Sequence, residues 1–455
     1  MPLLSVNPAT GQLLESYEEI DAAAVEARLD RAAEAQPRFA SRKLASRNGI
    51  LERVAELLEE RVGDYSRQMT LEMGKPIGAA EAEVRKCARV CRWYAENSAR
   101  LLADQVVGTE ARQSYVRFEP LGIVLAVMPW NFPFWQVFRF AAPALAAGNA
   151  GLLKHASNVS GCALAIEEVI RDAGAPEGVF QSLLLPSSRV EALIRDPRVR
   201  AVTLTGSEPA GRAVAATAGE NLKKSVLELG GSDPFVVCAD ADLDRAVSTA
   251  VTARTINNGQ SCIAAKRFLV ERSVADEFEL GLRNGMAALK MGDPLDRDIQ
   301  IGPLATEAIR EELATQVEST LADGGRKVLG GEIPDGPGWF YPPTIVADPP
   351  PGTPLRVEET FGPVAAILRF DTDDEAIKLA NETEFGLGAS IWSGDPDRAG
   401  RFVSSLAAGS VFVNEMVASD PRLPFGGIKN SGYGRELAGY GLREFLNIKT
   451  VWVEP

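Results

Sequence analysis

Three short segments of the chain carry a thiol, a carboxylate and an amide whose surroundings suit chemistry. Asn257-Asn258-Gly259-Gln260-Ser261-Cys262 follows a helix-like run, and its glycine suits a tight turn that presents the thiol. A solitary cysteine is more often a buried apolar residue than a reactive one, so this segment alone does not identify a nucleophile. Glu228 closes a strand-like run, Ser225 to Leu229, where Gly230 and Gly231 make the backbone flexible and closely approachable. Read blandly, it is a strand-end charge facing water. His155 is the only histidine, however, so a carboxylate is the most available general base for activating water. Asn131 sits in Met128-Pro129-Trp130-Asn131-Phe132-Pro133, directly after an apolar run. Such an amide either bonds its own turn backbone or serves as an oxyanion donor.

Two further constellations concern binding. Gly206-Ser207-Glu208-Pro209-Ala210-Gly211 lies between a strand-like and a helix-like run. Glycines there admit a phosphate and the helix start offers free N–H groups, although the spacing is not G-x-G-x-x-G. Trp135 and Arg139 are four apart on a helix that begins near Phe132, hence on one face. A guanidinium among aromatics needs either an internal carboxylate or an anionic substrate group, and these residues alone favour the internal partner. The five cysteines are scattered and read as free thiols. Cys87 and Cys91, four apart on a helix, have no further Cys or His nearby to complete a metal site, so no metal is expected.

The elements that must hold these groups fall into a clear series. From Asp21 to about Leu102, apolar residues recur every three or four positions, which predicts successive amphipathic helices. Ser114 to Phe118 then reads as a half-buried strand and Gly122 to Met128 as a buried one. Beyond it, strands at Gly151–Lys154, Val179–Leu185 and Val199–Thr205 alternate with helices at Gly161–Asp172, Val190–Arg195 and Pro209–Ala218. A second series has strands Pro234–Val237 and Arg267–Val270 with helices Leu243–Asn257 and Ala275–Ala288. Asp348 to Pro354 reads as a loop, and Thr450 to Val453 as a final strand able to pair with another subunit. This alternation predicts an α/β protein with parallel sheets and ligands at the strands' carboxyl ends. At 455 residues, two lobes are expected. The net charge of -14, with no basic block to reverse it, argues against nucleic acid. Met1 to Leu14 does not read as a secretory leader, and the longest apolar run, Leu121 to Trp130, is about half a membrane span, so no membrane and a cytoplasmic enzyme are expected.

Taken together in order and spacing, these segments resemble the aldehyde dehydrogenase superfamily. The match continues through Lys154, Leu204-Thr205-Gly206-Ser207, Glu358-Glu359-Thr360-Phe361-Gly362-Pro363 and Pro424-Phe425-Gly426-Gly427-Ile428-Lys429-Asn430-Ser431-Gly432, and runs from Asn7-Pro8-Ala9-Thr10-Gly11 to Lys449. The resemblance implies an aldehyde-dehydrogenase-like α/β fold: two Rossmann-like parallel-sheet lobes plus a small β oligomerisation element. A dinucleotide-binding domain would span residues 1–106 and 120–229, a catalytic domain 230–423, and the oligomerisation element 107–119 and 424–455, giving a homodimer or homotetramer. It also implies that Cys262 attacks an aldehyde, that Asn131 and the Cys262 N–H hold the oxyanion, and that Glu228 activates the water that hydrolyses a thioester.

The cofactor implied is a nicotinamide dinucleotide, held by Trp130, Lys154, Ser157, Gly206, Ser207, Gly211, Leu229, Glu359 and Phe361. Glu208 stands where relatives often have Thr. Relatives that prefer NAD usually carry a glutamate where this chain has Ser157; a serine beside Lys154 tolerates a 2′-phosphate, so NADP is expected over NAD, which stays possible. Trp135 to Arg139 together with Gln260 to Arg267 look most like succinate semialdehyde dehydrogenases. On that likeness Arg139 binds a distal carboxylate, with Trp135, Ser261 and Ser419 beside it. Four alternatives remain: a broad dehydrogenase of uncharged aldehydes, a CoA-acylating relative, a cofactor-independent thiol esterase, and a non-catalytic protein that kept the fold.

Overall fold

A computed structural model describes residues 2–454; Met1 and Pro455, the outer bounds of the expected segments, lie outside the described residues. After the hairpin of β1 (Leu3–Val6) and β2 (Leu13–Tyr17), four helices follow: α1 (Ala22–Ala40), α2 (Leu44–Glu60), α3 (Val62–Met73) and α4 (Ile77–Leu101). Their boundaries have local causes. The Asp21 carboxylate accepts from the Ala24 N–H to start α1, and Gly74, at φ 79°, ends α3 in the left-handed region. On α4, Ala80, Val84, Cys87, Ala88, Cys91 and Tyr94 form one buried stripe facing α2 and α5 (Trp135–Ala147). Cys87 and Cys91 are therefore core residues, and all five thiols are free. Among the described residues no cluster of His, Cys, Asp or Glu could hold a metal, and no helix is long and apolar enough to cross a membrane.

After β3 (Gln105–Val106) and β4 (Gln113–Pro120), the chain builds a first large sheet. Strands β5 (Ile123–Met128), β6 (Ala150–His155), β7 (Phe180–Ser182), β8 (Val199–Thr205) and β9 (Lys224–Glu228) run parallel in the order β9-β8-β5-β6-β7. Their crossovers carry α5, α6 (Ser160–Asp172), α7 (Val190–Arg195) and α8 (Glu208–Glu220). The second sheet holds β10 (Pro234–Val237), β11 (Arg267–Glu271), β12 (Arg326–Leu329), β13 (Thr344–Ala347), β14 (Val364–Phe370), β15 (Gly388–Trp392) and β16 (Ser410–Val413), in the order β12-β13-β14-β11-β10-β15-β16. Only β12 is antiparallel to its neighbour. Helices α9 (Leu243–Thr255), α10 (Ala275–Ala287) and α11 (Glu307–Ala322) belong to this lobe. Each sheet has apolar clusters on both faces, as parallel sheets require.

Where sequence and structure differ, the reasons are local. Helix α9 stops at Thr255 because Asn257 and Asn258 turn left-handed, at φ 55° and 57°. Strand β7 spans only Phe180–Ser182, and Pro354 opens a short helix, Pro354–Val357, rather than closing a loop. The last strand is longer than expected: Leu446–Val453 pairs antiparallel, along its whole length, with Gln113–Pro120 of the same chain, and Gln105–Val106 adds a third strand. Within the segment 424–455, Gly432–Tyr433 instead joins the first sheet, antiparallel to β9.

Candidate functional site

A cleft opens between the carboxyl ends of the first sheet's strands, as expected, and the amino ends of the second sheet's strands, where the expectation does not hold. Trp130 and Asn131 enter it after β5, Gly206 and Ser207 after β8, and Leu229 after β9, while Cys262, Glu359 and Phe361 come from the second lobe. The cysteine loop is held with unusual thoroughness. Asn257 donates through Nδ2 to the carbonyls of Asn131 (2.7 Å) and Gln260 (3.0 Å), and so ties the two lobes together at the site. The buried Lys266 ammonium donates to the carbonyls of Ser261, Cys262 and Ala264 at 2.7–3.1 Å, and Arg254 holds those of Gly259 and Ala265. Gly259, at φ 74°, packs so closely on Gly362 that a Cβ would lie 2.3 Å from its carbonyl. Burial pushes the Cys262 thiol up to about 12, against the opposing pull of the Arg139 and Lys266 charges.

Asn131 is buried beside this loop: its Nδ2 donates to the Gln260 carbonyl at 3.1 Å, and its Oδ1 accepts from Gln136 Nε2 at 2.9 Å. Gln136 fixes the orientation of the amide, leaving one Nδ2 hydrogen unused. Glu228 ends β9, but its carboxyl does not line the cleft as Cys262 does. Neither oxygen has a hydrogen-bond partner, and the group faces Gly426, where a Cβ would stand 2.5 Å from Oε1. Burial, then the nearby Glu436, raise its pKa well above the usual carboxylate range. Gly230 and Gly231 serve close approach rather than positive φ: a Cβ on the first would meet Glu359, and on the second the Cys262 carbonyl.

The residues expected to hold a dinucleotide border the same cleft or lie on the strands that form it. Lys154, in β6, is buried, and its ammonium makes no hydrogen bond or ion pair with any described residue, as a group awaiting an anion would. Ser157 opens a single 3-10 turn just beyond β6. Ser207 stands at the N-terminal end of α8 without a side-chain capping bond, and Glu208 is engaged by Arg212 and Asn430. Gly211 is filled by Leu229, whose methyls would lie 2.6 Å from a Cβ, so its glycine serves helix-to-strand packing. Phe361 meets Trp130 edge-on, with ring centroids 5.7 Å apart, and Glu359 accepts from the Gly231 N–H at 2.9 Å. An unpaired ammonium, a helix start and an aromatic-walled cleft fit a phosphorylated dinucleotide.

On the far side of Cys262, Arg139 is only 3 % exposed and forms a 2.7 Å ion pair with the equally buried Glu436, while stacking on Phe425. The internal carboxylate weighed in the sequence is thus present. Even so, Arg139 Nη2 has no hydrogen-bond partner. Ser419 accepts from Trp135 Nε1 at 3.1 Å and from Lys86 Nζ at 2.7 Å, and Ser261 is buried in the cysteine loop. Sequence reasoning missed Lys266, Arg254, Glu436 and Lys86. Only Lys266 had a signal, since it lies four residues after the thiol.

Known proteins of one family resemble the chain along nearly its whole length. The model of the aldehyde dehydrogenase family matches residues 2–451. A Mycobacterium tuberculosis protein named succinate-semialdehyde dehydrogenase (NADP(+)) 1 is 52% identical over 456 residues, covering 100% of both chains. One from Mycobacterium avium, named succinate-semialdehyde dehydrogenase (NADP(+)), is 53% identical over 460 residues, covering 100% of this chain and 97% of its own. Among solved structures, succinic semialdehyde dehydrogenase from Streptococcus pyogenes in complex with NADP+ superposes with a TM-score of 0.97 at 35% identity, over 100% of both chains.

Proposed function

The chain belongs to the aldehyde dehydrogenase family, and from that premise we propose that it oxidises succinate semialdehyde to succinate with NADP. One observation carries the substrate class: beside the nucleophile loop lies a buried guanidinium with an unbonded Nη2, which a tunnel for uncharged aldehydes would not need. The names of the mycobacterial relatives and of the streptococcal structure point the same way. For the cofactor, Ser157 supports NADP, because it puts no carboxylate near the unpaired Lys154 ammonium.

In the proposed reaction the Cys262 thiol loses its proton to solvent, and the thiolate adds to the aldehyde carbon, forming a C–S bond and an oxyanion. Asn131 Nδ2 and the Cys262 N–H hold that oxygen. As the oxyanion collapses, hydride leaves the carbon and a thioester forms on Cys262. NADP, when bound, supplies the hydride acceptor. Glu228 then swings from its place beside Gly426 toward the cleft and takes a proton from water. The hydroxyl adds to the thioester, the C–S bond breaks, the acid departs with the thiolate restored, and Glu228 releases its proton to solvent.

The test is absorbance of the reduced nicotinamide with succinate semialdehyde or butanal, each with NADP and with NAD. Succinate semialdehyde with NADP should give the highest kcat/KM. A preference for NAD would sink the Ser157 argument. Equal use of butanal would favour a broad aldehyde dehydrogenase, and no reduction with any aldehyde would remove the oxidation itself.

A further inference from the structure

We propose that Lys86 is a second cation of the substrate site, completing with Arg139 and Ser419 a pocket for the distal carboxylate of a dicarboxylic semialdehyde. The inference rests on the carboxylated-aldehyde reading above and deepens it. Lys86 lies on α4, packed against α5, with its Nζ 4.2 Å from the centroid of the Trp135 ring. It forms no ion pair with any described carboxylate. The acids nearby are already engaged: Glu83 Oε2 pairs with Lys75, its Oε1 accepts from the Phe134 and Trp135 N–H groups, and Asp420 is gripped twice by Arg422. Arg139, the cation facing it from α5, is paired with Glu436.

The hydrogen bonds point to a missing acceptor. Ser419 Oγ accepts from both Lys86 and Trp135, which uses its two lone pairs and leaves its O–H to donate. Lys86 keeps further N–H groups, and Arg139 Nη2 is unbonded. Three donors, two of them cationic, thus lie in one region whose only neighbouring free acceptors among the described residues, the Glu436 oxygens, serve the Nε side of Arg139, and a substrate carboxylate satisfies the donors left over. Its own helix adds Cys87, Glu83 and Arg89 to the field at Lys86, and Asp420 faces it from the loop that carries Ser419. Burial and then the Arg139 charge bring the Lys86 ammonium down to about 8, so it is mostly protonated at neutral pH and titrates just above. Trp135 and Arg139 are one helical turn apart, which sets the anion between the Lys86 ammonium, seated on the indole face, and the guanidinium.

The experiment measures kcat/KM for succinate semialdehyde relative to butanal in the wild type, Lys86→Met and Lys86→Arg. Lys86→Met should lower that ratio roughly 30-fold, mainly through KM for succinate semialdehyde, and Lys86→Arg should restore most of it. In the wild type the ratio should fall as pH rises past about 8, whereas in Lys86→Arg it should stay level. If Lys86→Met folds poorly, the pH profiles of the other two enzymes decide. A wild-type ratio in Lys86→Met, or a pH-independent ratio in the wild type, overturns the role of Lys86. A wild type with no preference for succinate semialdehyde overturns the carboxylated-aldehyde reading beneath it.

Discussion

Both groups that must give up a proton in the proposed reaction are held in their protonated forms by burial. The Cys262 thiol is pushed up to about 12, and Glu228 is raised well above its usual range with neither oxygen hydrogen-bonded. The base works only when ionised, so a raised pKa moves its useful range to higher pH. Where hydrolysis limits turnover, kcat should climb with pH across a range well above that of an ordinary carboxylate; a kcat level from acid to alkaline pH would contradict this assignment. The structure brings Cys262 and Asn131 to one cleft and leaves Glu228 facing Gly426; all three were nominated by residue type and setting, with their roles drawn from the family resemblance. Lys266 and Arg254 were not, since what makes them important is the set of carbonyls they cap. Arg139 was legible as a choice, and the structure shows one half of it, the Glu436 ion pair.

At the level of elements, glycines determine how closely the two lobes meet. Gly426 belongs to the Pro424–Gly432 motif, and at φ 148° it leaves room for the Glu228 carboxyl. An alanine there would set a methyl 2.5 Å from Oε1 on a backbone that L-residues rarely adopt. Gly426→Ala should therefore displace the base and lower kcat by ~100-fold, with a smaller change in KM, as expected when a reacting group is misplaced by about 1 Å. Wild-type kcat in that variant would show that the Glu228 position seen here has no bearing on turnover. Composition marked Gly230 and Gly231 as a place of close approach, which they are. It did not reveal that Gly211 makes room for Leu229, because the partner lies on a different strand. The end of α9 was placed two residues late, since asparagine is tolerated in helices and its left-handed turn here is fixed by contacts to Asn131, Gly74 and Pro303.

Across the whole molecule, the two parallel sheets follow from the strand–helix alternation, which was readable, whereas the second sheet's approach to the cleft by the amino ends of its strands was not. Strand order was not, because hydrophobic periodicity says nothing about neighbours, and the insertion of Gly432–Tyr433 beside β9 is a tertiary event. The final strand pairs inside the chain and still presents its other edge, with Ile448 and Trp452 exposed at 62% and 45%. We propose that edge as the contact of a homodimer or homotetramer. The most direct test of the central claim, covalent oxidation through Cys262, uses Glu228→Gln mixed with succinate semialdehyde and NADP, followed by intact-mass and peptide analysis. One NADPH per site, formed in a burst, with the mass of one succinyl group added at Cys262, is the predicted result. A burst without an adduct, an adduct on another residue, or turnover at the wild-type rate would contradict it.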